Sequence, residues 1–526
     1  MIKRALPMLA LAAVLASTNM TAHAQSKGDQ ALLDALVKKG VLTEKEAQEI
    51  SAETANEVTT APAKIQVGDW VKEMKISGDL RIRNQWDQRE PMILTNPKLG
   101  PQDVNIPRDR WRFRLRLSAD FKLEGNFFGG VMLSTDDNRA ADTKNATFTG
   151  GYDNFSIFIT RAFMGWNPVP GLTFIAGKQP NPFYTTDLIY DPEIDPSGIV
   201  ERIDFDKIFN WSFGEPVAEG KESKEPVAPP PQKPGVSLEL SLIAGQFIFQ
   251  NNNADSGSTQ LKWDAYQFQE QLLARLHLGD KLTITFAPGF LSFNDASSGG
   301  TPGPHGTIVP PVSTQGLTFS QTTGGAGDTL ANSQPFPVTQ RDLNILLAPG
   351  DITYKLYGKP LSLYWDFAYN FSGNERFNRD YGPLFAHYFY VGNSATPSFS
   401  ERWSPSLSDS LAWLVGLRYG ENKKAGDFSI SADYRQVGIA SIDPNLNSSN
   451  WALGNLNAEG WEFNAAYNFT DFLTGVLTFY YSDALTKNLY GGFATGNVPG
   501  ISSSQQFPVA RDRRDMVLQA NLLMKF

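Results

Sequence analysis

The sequence predicts an all-β fold, a closed antiparallel transmembrane β-barrel of about 16 strands with a short N-terminal helical segment. Three observations lead to it. The last twelve residues alternate with period two, placing Met516, Leu518, Ala520, Leu522, Met524 and Phe526 on one face and Asp515, Val517, Gln519, Asn521, Leu523 and Lys525 on the other. Segments of the same kind recur along most of the chain. No apolar run past the first two dozen residues approaches the roughly 20 residues that a membrane-spanning helix needs.

At the N-terminus, Lys3 and Arg4 precede an apolar stretch from Ala5 to Ala16, followed by the small-residue site Ala22-His23-Ala24. This pattern predicts a secretory signal peptide over residues 1–24 and a mature chain beginning near Gln25. From Asp29 to about Val58, Leu32, Leu33, Leu36 and Val37 recur at helical spacing. Gly40 fits a C-terminal cap, and Thr43 with Glu46 fits a capping box ahead of Ala47 and Ile50. Residues 25–63 are therefore expected to form a short periplasmic helical segment and linker, with the barrel over 64–526.

The first strand signal lies near 74–86, where Met74, Ile76, Leu80 and Ile82 alternate with Lys75, Ser77, Asp79, Arg81 and Arg83. Further strands are predicted near 110–123, 126–135, 154–166, 171–179, 203–214, 235–250, 262–278, 281–293, 341–356, 360–370, 409–420, 426–437, 460–469, 473–482 and 514–526. Such an even count suits an antiparallel barrel. Asn468 to Asp471 and Asn167 to Gly171 read as tight turns. Glu215 to Pro234, rich in charge and proline, and Asn294 to Gln340, rich in Gly, Ser, Thr and Pro, read as surface loops. Pro288 and Pro349 interrupt the alternation of their strands.

Composition narrows the function classes. The chain carries 35 Phe, 17 Tyr and 11 Trp, suited to strands and interfacial girdles, and no cysteine. It therefore has no disulfide framework, thiol nucleophile or thiolate metal site. The net charge of −9 makes nucleic acid a poor partner. Past the signal peptide only His277, His305 and His387 remain, in no zinc spacing and beside no nucleophile motif. No enzyme, metal or cofactor is expected.

The sharpest local pattern is Arg110-Trp111-Arg112-Phe113-Arg114-Leu115-Arg116-Leu117. Alternation sends the four arginines to one face, about 7 Å apart along the strand. On a lipid face each would cost roughly 2–4 kcal/mol near the midplane, so the row must face water or acidic partners. Arg81 and Arg83 fall on the same side if the two strands pair. The arginines could line a pore and attract anions, or pair with interior carboxylates and brace an inward-folded loop; both readings stay open. A candidate opposing wall is Thr186 to Gly198, whose Asp187, Asp191, Glu193 and Asp195 with Pro192 and Pro196 read as a stiff acidic loop able to narrow a channel.

Several segments together resemble the putative porins of Gram-negative bacteria. They are Ile76 to Arg83, Arg110 to Leu117, Ala162 to Pro168, Gly177 to Phe183, Asp191 to Gly198, Tyr369-Asn370, Gly460 to Phe463, Tyr467 to Thr470 and the closing strand. The resemblance covers nearly the whole mature chain and rests on the order of the segments. It implies an outer-membrane channel for passive diffusion of small hydrophilic solutes or ions, often a homotrimer. The terminal strand likewise resembles the assembly signal read by the barrel-assembly machinery, carried here by Leu518, Leu522, Met524 and Phe526, with outer-membrane lipid against that face. Phosphate-selective relatives would show a dense lysine array, which is absent. The alternative is a non-conducting barrel serving as a surface scaffold or adhesin; an energy-coupled transporter would need a larger plug domain than 25–63 provides.

Overall fold

The computed structural model describes residues 70–96, 100–103, 106–136, 143–150, 152, 154–209, 235–250, 265–294, 343–380, 405–443, 446–454, 456–486, 490–495 and 506–526. The expected signal peptide, helical segment and linker lie outside the described residues, as do 215–234 and 295–340 with His305 and His387.

The wall is a single antiparallel sheet of sixteen main strands. They are β1 (Val71–Asn96), β2 (Ile106–Leu123), β3 (Phe127–Thr135), β4 (Ile157–Trp166), β5 (Leu172–Lys178), β6 (Ser197–Asp204), β7 (Val236–Gln250) and β8 (Ala265–Leu278). Next come β9 (Leu282–Phe286 and Gly289–Asn294), β10 (Asn344–Leu347 and Gly350–Leu356), β11 (Lys359–Asn370) and β12 (Leu411–Gly420). The last are β13 (Phe428–Val437), β14 (Ala458–Asn468), β15 (Leu473–Ala484) and β16 (Gln506–Lys525). Each pairs with its sequence neighbours.

The barrel closes by pairing its first strand with its last. β1 pairs with β16 from Asp79↔Lys525 to Gln88↔Met516, and the barrel has no free sheet edge there. Gly78 and Phe526 exchange backbone hydrogen bonds of 2.8 and 3.0 Å. The Phe526 ring lies over Gly78, where a Cβ would come within 2.6 Å of it, so this crossing requires a residue without a side chain.

Alternation sorts the side chains inside out relative to a soluble protein. Ile82, Trp111, Leu133, Met164, Val415 and Phe463 are exposed on the outer face, while Arg83, Arg112, Ser134 and Arg435 are buried on the inner one. Pro288 and Pro349 split β9 and β10 side by side. Having no N–H, they leave the ladder, but their carbonyls still accept from Leu272 and Ala287 at 2.9 Å.

One predicted strand is misplaced. The strand expected at 203–214 is Ser197–Asp204, followed by a short helix, α1 (Phe205–Phe209). Pro196 and Gly198 read as loop punctuation, yet Gly198 is what lets the strand form. Its absent Cβ would lie 2.0 Å from the Gln246 carbonyl on β7, a distance only glycine tolerates.

The interior is partly dry. Two connections fold inward, residues 179–196 between β5 and β6 and, between β13 and β14, the described residues of 438–457 (438–443, 446–454 and 456–457). Leu188, Ile189, Tyr190 and Ile194 from the first and Ile442, Leu446, Trp451 and Leu456 from the second share a buried apolar cluster with inward side chains of β9 to β16.

Candidate functional site

The arginine row sits on paired strands. Register places Arg81 opposite Arg114, Arg83 opposite Arg112, Asp79 opposite Arg116, Gln85 opposite Arg110 and Asp87 opposite Arg108. Like charges directly opposite destabilise a ladder, so this pairing needs counter-charges. Asp79 lies between Arg114 and Arg116, at 2.8 and 2.6 Å. The Asp87 side chain, fully buried, takes Arg108 and Arg110 at 2.9 and 3.1 Å. Arg83 is met by neutral amides, Asn521 at 2.6 Å and Asn450 at 3.4 Å.

The acidic segment does not face the row from an opposite wall, as the sequence led us to expect. It divides among several sectors. Glu193 reaches into the row itself, taking Arg81 at 3.0 Å and Arg114 at 2.5 Å, and accepts the Lys144 backbone N–H at 2.7 Å. Burial pushes its carboxyl upward, but Arg81, Arg114 and Lys144 outweigh that and hold it well below the ordinary value. Asp195 pairs with Lys144 at 2.6 Å and Arg161 at 2.7 Å. Asp187 meets Arg435 of β13 at 3.0 Å.

Asp191 meets no cation within ion-pair distance among the described residues. Its carboxylate accepts the Glu193 N–H and, from the second inward connection, the Ser449 N–H and hydroxyl at 2.9 and 2.8 Å. Burial, with Glu193 adding repulsion, pushes it up to about 6. Backbone bonds complete the joint, from Asp191 N to the Leu446 carbonyl at 2.6 Å and from Ser448 N to the Asp187 carbonyl at 2.9 Å.

A second charged cluster escaped the sequence reading. Arg435, its side chain 1 % exposed, binds Asp187, Asp433 at 2.7 Å and Glu462 at 2.6 Å, and its guanidinium lies 5.4 Å from the Trp451 ring centre. Nearby, Asp366 of β11 accepts the Thr186 N–H and hydroxyl. The only signal in the sequence was that Asp366, Asp433, Arg435 and Glu462 fall on the polar faces of their strands. Contacts that join residues 248 apart, as Asp187 and Arg435 are, leave no local pattern.

The charges are therefore unevenly spread. Among the described residues, five inward arginines of β1 and β2 (81, 108, 110, 114 and 116) pair with only three carboxylates, Asp79, Asp87 and Glu193. On β13 and β14, one arginine meets three carboxylates. His277 packs against Thr283 and Glu239 on the inner face of β8, at 3.1 and 3.3 Å. Among the described residues, no group of three or more His, Cys, Asp or Glu side chains is arranged to hold a metal ion. Leu518, Leu522, Met524 and Phe526 stand exposed on the outer face of β16.

Solved structures similar to this one include a Rhodopseudomonas blastica porin triple mutant, at 10% identity and TM-score 0.34, covering 86% of this chain and 100% of that one. Pseudomonas putida OprB at high pH aligns at 9% identity and TM-score 0.41, covering 86% and 94%. Salmonella typhi OmpF in complex with daunomycin aligns at 10% identity and TM-score 0.38, covering 88% and 100%. No curated protein matches. The family model described as "Putative porin" matches residues 16–299, more than half of the chain, and with the sixteen-stranded closed barrel this places the protein in the putative porin family, a transmembrane β-barrel of the bacterial outer membrane.

Proposed function

We propose that the barrel interior is a route for passive diffusion of small hydrophilic solutes or ions, and that Arg81, Arg83, Arg110, Arg112, Arg114 and Arg116 with the segment bearing Asp187, Asp191, Glu193 and Asp195 tune which of them pass. The observation that carries this reading is the unequal charge among the described residues, with arginines in excess over their carboxylate partners on β1 and β2 and carboxylates in excess around Arg435. Charge excesses of opposite sign on nearby sectors of a low-dielectric lumen set up a local field along that part of the wall, which orders and selects charged solutes.

The test is conductance of the purified protein in a planar bilayer. Steps above background are expected. Replacing Arg112, Arg114 and Arg116 with Gln should move the reversal potential in a salt gradient toward cation preference. An unchanged potential would place these side chains outside the conducting path.

The dry cluster inside the barrel favours a second reading, a non-conducting barrel serving as a scaffold or adhesin. A folded protein without conductance under any condition would support that one. Family membership also motivates three further assignments: a signal peptide over 1–24 removed on export, a periplasmic helical segment and linker over 25–63, and assembly of the barrels into a homotrimer. Recognition of Leu518, Leu522, Met524 and Phe526 by the barrel-assembly machinery belongs with them.

A further inference from the structure

The arginines proposed to guide solutes are themselves covered. Arg83, Arg112 and Arg114 are 6%, 8% and 6% exposed, and the inward segment, whose Glu193 lies on Arg81 and Arg114, is tied to the wall on several sides. Its two edges are tied differently. Along one, Leu188, Ile189 and Tyr190 sit in the apolar cluster, with two backbone hydrogen bonds and the Asp191–Ser449 contact fixing them to residues 446–449. A solute arriving from water has nothing to offer in exchange for those contacts. The other edge is held by ion pairs of Glu193 with Arg81 and Arg114 and of Asp195 with Lys144 and Arg161, with the Lys144 N–H on the Glu193 carboxylate and Lys144 and Lys178 on the backbone carbonyls of Glu193 and Asp195. There an incoming anion can replace a carboxylate like for like.

We infer that residues 193–195 form a latch that small carboxylate-bearing solutes open, while residues 186–191, interlocked with 438–457, are the fixed hinge side of the same plug. This rests on the channel reading above. One solute carboxylate takes the place of Glu193 on Arg81 and Arg114 and a second that of Asp195 on Lys144 and Arg161, and the freed Glu193 and Asp195 side chains are solvated as the edge lifts. These cations then keep an anionic partner throughout, so no buried cation is stranded. Ile194, between the two acids, is the apolar side chain that must leave the cluster. The segment 438–457 thereby acquires a role as the anchor of the constriction.

Single-channel recording tests this. In chloride the wild-type protein should be mostly closed, and adding acetate at constant ionic strength should raise its open fraction saturably. Glu193→Gln should be open about tenfold more often in chloride, the loss expected for removing a charge-assisted bond, and should no longer respond to acetate. A wild-type channel whose open fraction ignores acetate, or a Glu193→Gln protein gating as wild type does, would overturn the latch and leave the channel reading intact. If neither protein, folded as judged by heat-modifiable electrophoretic mobility, conducts in any anion, the channel reading fails and the latch with it. The acetate response is read on the wild-type protein, so the test stands even if the variant folds poorly.

Discussion

Two charged regions of the interior solve the same problem with opposite stoichiometry. On β1 and β2, Asp79 serves Arg114 and Arg116, Asp87 serves Arg108 and Arg110, and Glu193 serves Arg81 and Arg114. Each carboxylate is shared by two cations. Around Arg435 the ratio is reversed, one guanidinium for Asp187, Asp433 and Glu462. A shared network tolerates the loss of a member from the abundant side, whereas a hub does not tolerate the loss of its centre.

The largest expected effect follows at the hub. Arg435→Ala leaves three inward carboxylates without their common cation and removes the group stacked on Trp451, so it should cost about 3–5 kcal/mol. Urea titration of the folded barrel, followed by tryptophan fluorescence or by the heat-modifiable band, would measure it. A cost under about 1 kcal/mol would mean that the carboxylates relax to water, and that the hub is no hub.

How much of this contrast was legible beforehand depends on the range of the contacts. The row from Arg110 to Arg116, its pairing with Arg81 and Arg83, and closure at Phe526 are products of period-two alternation between neighbouring strands. Local sequence encodes such features. The Arg435 hub joins β13, β14 and a loop from the other half of the chain, so no window of sequence contains it. The strand at Ser197–Asp204 was hidden for a different reason. Gly198 and Pro196 carry the composition of a turn, and only the close approach to Gln246 explains the glycine. The segment 438–457 has apolar residues, Ile442, Leu446, Trp451 and Leu456, inside a connection between strands. That was its one readable sign of folding inward.

A smaller effect should separate the fixed joint from the latch by pH. Asp191 is raised by burial and by Glu193 to about 6, from an ordinary carboxyl value of 3.8, so the folded state takes up its proton first as pH falls. Stability should therefore rise as pH drops from about 7 through 6 and level off below the ordinary carboxyl value, and the part of that gain owed to Asp191 should be missing in Asp191→Asn. Glu193 has the opposite sign. Its depressed value keeps the latch charged through this window, and the contribution of the latch is lost only as pH falls below the ordinary carboxyl range. Urea midpoints at pH 7 and pH 5 for the two proteins would show it. An equal gain in Asp191→Asn would assign the effect to another carboxylate.

The smallest effect is expected at Arg114, despite its two carboxylate partners. Removing it leaves Asp79 with Arg116 at 2.6 Å and Glu193 with Arg81 at 3.0 Å and the Lys144 N–H at 2.7 Å, so neither acid is stranded. It also removes the like charge facing Arg81 across the ladder, which repays part of the loss. Arg114→Ala should then cost about 1–2 kcal/mol, in the range of lost charge-assisted hydrogen bonds and well short of the loss at Arg435. The two variants measured side by side in urea decide whether stoichiometry governs these sites. If Arg114→Ala matches Arg435→Ala, the basic wall is as singly supported as the hub, and the sharing of carboxylates on β1 and β2 lends it no tolerance.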